Sequence, residues 1–379
     1  MEQLYQGSLD VFLVGVRADF NSVENQAMKA VTSLEQNGLL KTDRDTVGIF
    51  TQVSNMETQG NRAVWRHTGT TGVSTTGSRT AGGVFPASQF VRLWETVVVD
   101  PNLQDANQIT VPEERLNAES AQYKDALDRA QKLNLDLRRK NIGDPFDVFN
   151  QAFITPANYA STKFIGKGNS GLDGNTTALN EALVTYQHKI AYGNATLATS
   201  STATGGCSNA VTSSGNYAAL SPTSFNSALE QGATFVDDVG KPMSMFGGMV
   251  TIVVPRANGL VQTAKQLNES EWQIGSSNNE VNVFNGMFSK IVSSPYLTNS
   301  INYSTANTQN KKWFLVDNAF TDPTVGTGLV RVAFVPTQSF VFRSPEMNAL
   351  VYQVKQSFSY TWTDWRNVLG SLGDASAAA

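Results

Sequence analysis

Arg62-Ala-Val-Trp-Arg-His67 and Phe90-Val-Arg-Leu-Trp-Glu-Thr-Val-Val-Val99 are two runs of strand-forming residues on either side of a polar tip. The tip begins at Thr68 and runs to Gly83, where 13 of 16 residues are Gly, Ser or Thr. In the return strand Val91, Leu93, Val97 and Val99 alternate with Arg92 and Thr96. Phe90, Trp94 and Val98 blur that alternation, so both faces of the strand are expected to meet protein. A hairpin this long and this polar has little core of its own. Long protrusions with so little to bury have a functional reason, and the simplest is that the arm folds against something else.

A long helix is expected immediately after it, over Glu113 to Lys140. Pro112 suits a helix start. Glu113 and Glu114 complement the N-terminal end of the helix dipole; Arg138, Arg139 and Lys140 complement its C-terminal end. Leu116, Tyr123, Leu127, Ala130, Leu133 and Leu137 form the apolar stripe. At 1.5 Å per residue the rod is roughly 42 Å long.

Charge divides between these two elements. The hairpin region carries Arg62, Arg66, Arg79 and Arg92, opposed only by Glu57, Glu95 and Asp100. The first half of the helix carries Glu113, Glu114, Glu119, Asp125 and Asp128. Pairing between subunits would use such a division; ordinary solvated helix charges are the plainer reading. Trp65 and Trp94, one on each arm, either meet across the strands or dock on a neighbour.

Elsewhere the pattern is α+β. Helices are expected over Asp19–Gly38, about Thr176–Ile190, Thr223–Gln231 and Ala257–Leu267. The third follows Ser221-Pro222, a cap and a helix-start proline. Leu39–Met56 reads as a connector, the Ser/Thr/Gly/Asn tract over Asn194–Asn216 as a mobile surface loop, and Val236–Gly240 as a turn. Met249–Val254 reads as a buried strand closed by Pro255. Val281–Val292 reads as two short strands around Asn285-Gly286, with further strands at Trp313–Val316 and Leu329–Val335. Ala349–Trp362 alternates for a long way with a slip near Gln356, and Ser371–Ala379 reads as a frayed tail.

Composition excludes more than it assigns. Charged residues are 16% of the chain and the net charge is -4, so no basic patch of the kind that grips nucleic acid is present. A container for DNA is still allowed, since a lumen into which DNA must slide should not be strongly cationic. The one cysteine, Cys207, cannot form an intrachain disulfide. No signal peptide and no membrane-spanning run is expected, and no membrane partner. No catalytic constellation, metal site or cofactor site emerges. With two histidines, His67 in the hairpin and His188 on an expected helix, a His/Cys zinc site is barely feasible. Gly166-Lys-Gly-Asn-Ser-Gly171 lacks the spacing of a phosphate loop. Asp237-Asp238 beside Gly240-Lys-Pro242 suits a turn better than a metal, and Cys207 has no base near it in sequence.

The order of parts resembles the major capsid proteins of tailed bacteriophages, the Hong Kong 97-type fold. Leu220-Ser-Pro-Thr-Ser-Phe-Asn-Ser-Ala-Leu229 resembles the family's helix opening, Gly240-Lys-Pro242 the following turn, and Val253-Val-Pro255 the strand that ends in proline. Val283-Phe-Asn-Gly286 with Val292-Ser-Ser-Pro-Tyr-Leu297, Trp313-Phe-Leu-Val-Asp317, and the late run ending in Asp364-Trp365-Arg366 complete the likeness. The resemblance implies an N-terminal arm (1–56), an extended loop (57–112), and a spine helix with peripheral domain (113–163, joined by strands from about 320–350). An axial domain (164–319) and C-terminal strands and tail (320–379) follow. It implies a shell of pentamers and hexamers enclosing double-stranded DNA without sequence-specific binding, assembled in the bacterial host cytoplasm into a virion. It assigns subunit contacts to Arg62, Trp65, Arg66, Arg79, Arg92 and Trp94 on the loop and to the spine carboxylates. Portal and decoration proteins are implied partners. About 56 residues precede the loop, so a separate scaffolding protein is expected rather than a cleaved scaffolding segment.

The same fold class also serves encapsulin-type nanocompartments, and a secreted β-rich adhesin or carbohydrate-binding module is the alternative from another class. Some family members crosslink a loop lysine to a neighbour's asparagine. Here no lysine lies between Lys41 and Lys124, so the chemistry has no nucleophile on the loop. Particles boiled in denaturant should therefore run as single chains on a gel; a covalent ladder from the unmodified protein would refute a noncovalent shell.

Overall fold

The computed structural model describes residues 49–53, 57–59, 62–70, 92–99, 105–112, 132, 143–154, 182–186, 188, 208–235, 242–256, 259–272, 281–297, 311–317, 328–346, 349–362 and 364–378. The chain divides into two compact units. One comprises Met1–Asp43, Pro101–Ile142 and Phe334–Phe358; the other comprises Arg44–Asp100, Gly143–Ala333 and Ser359–Ala379. The helices expected over 19–38 and 113–140 lie outside the described residues, except for Lys132, which is helical and exposed. The turn expected over 236–240 also lies outside them.

In the first unit, β5 (Asp105–Pro112) pairs antiparallel with β12 (Ala349–Trp362), from Ala349 opposite Pro112 to Gln356 opposite Asp105. The sequence placed 105–112 in the extended loop without a strand there. The ladder has no shift from Ala349 to Gln356 and ends there, where the sequence pattern slips; Tyr352, Val354 and Gln356 are buried at alternate positions. What breaks the sequence pattern is a polar residue on the buried face. Pro112 sits at the strand's last position, where a missing N–H costs least.

The second unit is organised by a four-stranded sheet in the order β13-β10-β8-β9. These are Val368–Ser371, Trp313–Asp317, Val250–Pro255 and Phe288–Ser294. Every residue of β8, β10 and β13 is buried. Strands covered on both faces read as unbroken apolar runs, which Val-Thr-Ile-Val-Val and Trp-Phe-Leu-Val are. Each such side chain contributes about 1.5–3 kcal/mol on burial. β8 and β9 are parallel, and α2 (Leu260–Glu269) supplies the crossover that a parallel pair requires. Of the two strands expected over 281–292, only β9 forms. The Asn285-Gly286 region is a turn, and Val281 makes an isolated bridge to Trp272.

Helix α1 (Pro222–Ala233) begins as the sequence predicts. The Ser221 hydroxyl accepts from Ser224 N–H, the Ser224 hydroxyl returns the bond to Ser221 N–H, and proline fills the first turn. Near the other end of α1, a Cβ on Gly232 would run into the Phe246 ring. Phe246 itself holds a left-handed backbone at φ 58, and its N–H donates to the buried Asp317 carboxylate at 2.7 Å.

β11 (Leu329–Ser344) runs well past the expected Val335. It lies beside β12, and β1 (Thr51–Val53) pairs with its start in parallel, Thr51 opposite Val330. The connector expected over 39–56 therefore contains a strand.

The helix expected near 176–190 is not present at 182–186 or 188. Long-range hydrogen bonds take the place of helical ones there. Val184 N–H donates to Ala152 O at 2.7 Å, and Thr185 N–H donates to the Asn209 side-chain oxygen at 3.0 Å. His188 is thus held by tertiary contacts and not on a helix. The end of the tract expected to be mobile is also built in. Asn209, Ala210 and Val211 are buried, and β6 (Thr212–Ser213) and β7 (Asn216–Tyr217) form a hairpin. The frayed tail is corrected too, because Tyr217 N–H donates to Ser376 O and Ala378 N–H donates to Gly215 O.

Asn209 is fully buried. Its amide nitrogen donates to Leu183 O at 2.7 Å, Val368 O at 2.9 Å and Trp365 O at 3.3 Å. Asn209→Ala would leave several buried backbone groups without partners, at about 1–3 kcal/mol for each such group. Chemical denaturation should show a loss of about 3 kcal/mol or more; a loss under about 0.5 kcal/mol would mean the amide is replaceable.

Candidate assembly surface

Within the 57–112 segment expected to be an extended loop lies a three-stranded ribbon, β2 (Glu57–Gln59), β3 (Arg62–Thr70) and β4 (Arg92–Val99), in the order β2-β3-β4. β2 was not legible in the sequence. The ladder pairs Ala63 with Val99, Trp65 with Val97, Arg66 with Thr96, His67 with Glu95, Thr68 with Trp94 and Thr70 with Arg92. Opposed residues share a face of a ribbon, and so do residues two apart along a strand. Two faces follow. One holds Arg62, Arg66, Arg92 and Trp94 with Val64, Val98 and Glu57. The other holds Ala63, Trp65, Leu93, Val97 and Val99 with His67 and Glu95. By register Arg62, Arg66 and Arg92 fall at positions of one face, and Trp65 and Trp94, three register positions apart, fall at positions of opposite faces. Arg79 and the spine residues Glu113, Glu114, Glu119, Asp125 and Asp128 lie outside the described residues.

A second apolar feature was not singled out in the sequence. Met249, Trp272, Val281 and Val283 are all more than half exposed, and all fall within one stretch of the second unit. Asn282 fixes this stretch by donating from its amide to Leu267 O at 2.8 Å and Ser270 O at 2.9 Å. In the first unit Phe340 and Phe342 are exposed on alternate positions of β11, with the Lys355 ammonium 5.0 Å from the Phe340 ring centre.

Polar groups in the interior serve the fold. The His188 ring stacks on Trp365 at 4.1 Å, and its Nε2 lies 2.8 Å from the Asn209 side-chain oxygen. That oxygen only accepts, so Nε2 carries the proton. Asp364 holds Arg366 twice, through its N–H and its guanidinium, each at 2.9 Å. The Asp-X-Arg sequence is thus a closed turn leading into β13. Among the described residues no group of three His, Cys, Asp or Glu side chains is placed to hold a metal. Cys207, Asp237, Asp238 and Gly166–Gly171 lie outside the described residues. Among the described residues no helix is long and apolar enough to cross a membrane.

No protein-family model and no curated protein matches the chain. Among solved structures it is similar to a capsid chain of the cyanophage P-SCSP1u, at 15% identity and a TM-score of 0.41 over 85% of each chain. It is similar to the mature capsid of bacteriophage PhiM1, at 11% identity and a TM-score of 0.43 over 86% of this chain and 85% of that one. A virus-like particle from Pyrococcus furiosus gives 9% identity and a TM-score of 0.38 over 90% of this chain and 98% of that one. Likeness this low leaves the chain's own residues to carry any functional conclusion.

One buried cation gives the second unit a pH signature. Lys312 is buried just before β10, where its ammonium donates to Asn150 O at 3.2 Å. Burial pushes its pKa down to about 8, against a smaller opposing pull from Asp374. Partial burial alone would raise the Asp374 carboxyl. Hydrogen bonds from Ser376 and the charge of Lys312 outweigh this and hold it below the usual carboxylate range. The folded chain therefore sheds the Lys312 proton before the unfolded chain does. Between pH 8 and 10.5 the unfolded state binds more protons, so this lysine's contribution to stability rises with pH. Relative to Lys312→Met, the wild type should gain on the order of 3 kcal/mol across that window. A flat difference between the two denaturation curves would show that Lys312 is not held as described.

Proposed function

We propose that this chain is the major capsid protein of a tailed bacteriophage, with a Hong Kong 97-type α+β fold. Many copies associate as pentamers and hexamers into an icosahedral shell that encloses double-stranded DNA. The observation that carries the reading is the ribbon. It is a sheet of its own among the described residues; by register one face carries Arg62, Arg66 and Arg92, and the other is mainly apolar apart from His67 and Glu95. A narrow ribbon with an apolar face needs a surface to lie on. In a self-assembling shell that surface belongs to the neighbouring copy. The acidic half of the 113–140 segment supplies complementary charge there, with Glu113, Glu114, Glu119, Asp125 and Asp128 as the expected contacts.

The strand and helix order of the second unit supports the same reading. Ser221-Pro222 opens α1, Pro255 closes β8, Pro295-Tyr296 follows Ser294 at the end of β9, and Asp364-Trp365-Arg366 turns into β13. These are the passages through which the sequence resembles the capsid family. The chain acts mechanically and not as an enzyme. Each contact is modest, and closed symmetry multiplies it. The loop and arm (1–112), the peripheral part around 113–163 and 320–350, and the axial part over 164–319 are assigned accordingly. DNA is held without sequence readout, and scaffolding, portal and decoration proteins are the partners of assembly in the host cytoplasm.

Electron microscopy of the purified recombinant chain tests this directly. Closed shells or capsomer rings are expected, and a stable monomer in sedimentation would end the reading. Nucleic acid in particles isolated from the native source distinguishes a phage head from a protein compartment. Arg62→Glu with Arg66→Glu should cut particle yield at least about tenfold, since like charges brought together in an interface cost several kcal/mol. The circular dichroism of the unassembled chain should not change.

A further inference from the structure

Residues 374–378 lie along the edge of the β6–β7 hairpin, held by three backbone hydrogen bonds and one bridge. Ala375 N–H donates to Tyr217 O at 3.2 Å, Tyr217 N–H to Ser376 O at 2.9 Å, and Ala378 N–H to Gly215 O at 3.0 Å. Asn216 and Ala377 are antiparallel bridge partners. The hairpin itself has two residues in each strand, and its turn at Ser214-Gly215 has φ of 52 and 80. Two-stranded hairpins of this kind are marginal alone, so the docked segment supports the pair.

Little besides these backbone bonds holds the segment. Residues 374–377 are exposed, so no pocket grips their side chains. The segment leaves the buried β13 through two left-handed positions, Gly373 at φ 66 and Ala375 at φ 59. Only glycine fits at 373, because a Cβ there would run into the Lys311 carbonyl. The alanine at 375 is left-handed within the docked segment, so it is strained whenever it is docked and relaxes when the segment lifts off. Asp374 is shaped by its bonds from Ser376 N–H and hydroxyl, at 3.0 and 2.6 Å, and it presents its charge toward Lys312.

We propose that the edge of β7 is a strand-docking site, and that in the assembled state it takes residues 374–378 of a second copy in place of its own. The partner is a short peptide with small side chains, an aspartate at its start and a left-handed residue after it. That is the chemistry seated on the edge here. Main-chain bonds do not distinguish one copy's segment from another's, and the attraction between Asp374 and Lys312 is the same in both arrangements. Exchange of an identical element is a low-cost route between copies, and high local concentration in an assembly favours it. The proposal rests on the shell reading in needing many copies close together.

The test is a cysteine pair, Asn216→Cys with Ala377→Cys, in a Cys207→Ser background. Opposed residues of an antiparallel pair lie at a distance a disulfide can bridge. After oxidation of assembled material, a non-reducing denaturing gel should show dimers and higher species. Cross-links confined to single chains overturn the exchange. If electron microscopy shows intact particles in that same sample, the shell reading stands without it. Hydrogen exchange on the unmodified, unassembled chain gives a second readout. The amides of Tyr217, Ala375 and Ala378 should exchange at least ~100-fold faster than those of Phe314 to Val316, as expected of a strand that opens locally. Equal protection of the two sets would mean the strand does not open, and would overturn the proposal.

Discussion

The side-chain amide of Asn209 is the constraint on which the second unit depends. It binds three stretches that have no reason of their own to be regular: 183–188, 208–211 and 365–370. The amide nitrogen serves carbonyls at Leu183, Trp365 and Val368, and the oxygen serves Thr185 N–H and His188. The backbone of residue 209 adds bonds to Thr185 and Gly370. In consequence β13 is fixed against β10, and Asn367 O accepts from Asp317 N–H at 2.9 Å. Asp317 in turn holds Phe246 in its left-handed conformation, and Phe246 occupies the place a Cβ on Gly232 would need. The line of constraint thus reaches from one buried amide to the packing of α1. Each bond in it is worth only about 1 kcal/mol net, but each is expensive to leave unmade, so the arrangement is specified more sharply than it is stabilised.

The sequence is legible wherever the deciding interaction is local. Ser221-Pro222 announces α1 because cap and first turn are adjacent. Val250–Pro255 and Ala349–Trp362 announce themselves by their apolar runs and alternation. Legibility ends where the partner is distant. Nothing near residues 182–188 says that Ala152 and Asn209 will take their hydrogen bonds, so helical composition there misleads. β5 lacks an apolar signature since its pairing with β12 is a property of the ladder and not of its own residues. The ribbon shows the same limit. Both arms were readable, but which tryptophan faces which side depends on register, and a shift of one residue would reverse it.

The ribbon also separates two tasks that a contact surface must perform. Exposed ion pairs contribute little each, about 0–1 kcal/mol, and salt screens them. Arg62, Arg66 and Arg92 on one face therefore cannot hold a neighbour by charge alone. Their value is in orientation, because a wrong register would set them against other cations. In the proposed interface affinity would come from the other face, where Ala63, Trp65, Leu93, Val97 and Val99 share a register with His67 and Glu95. Burying such a face contributes in proportion to its area whatever the partner, so it is strong but indiscriminate. A chain that meets many copies of itself in one geometry, as the proposed shell requires, needs both properties together. Alternation along two paired strands is the simplest way for a sequence to carry them on a single arm.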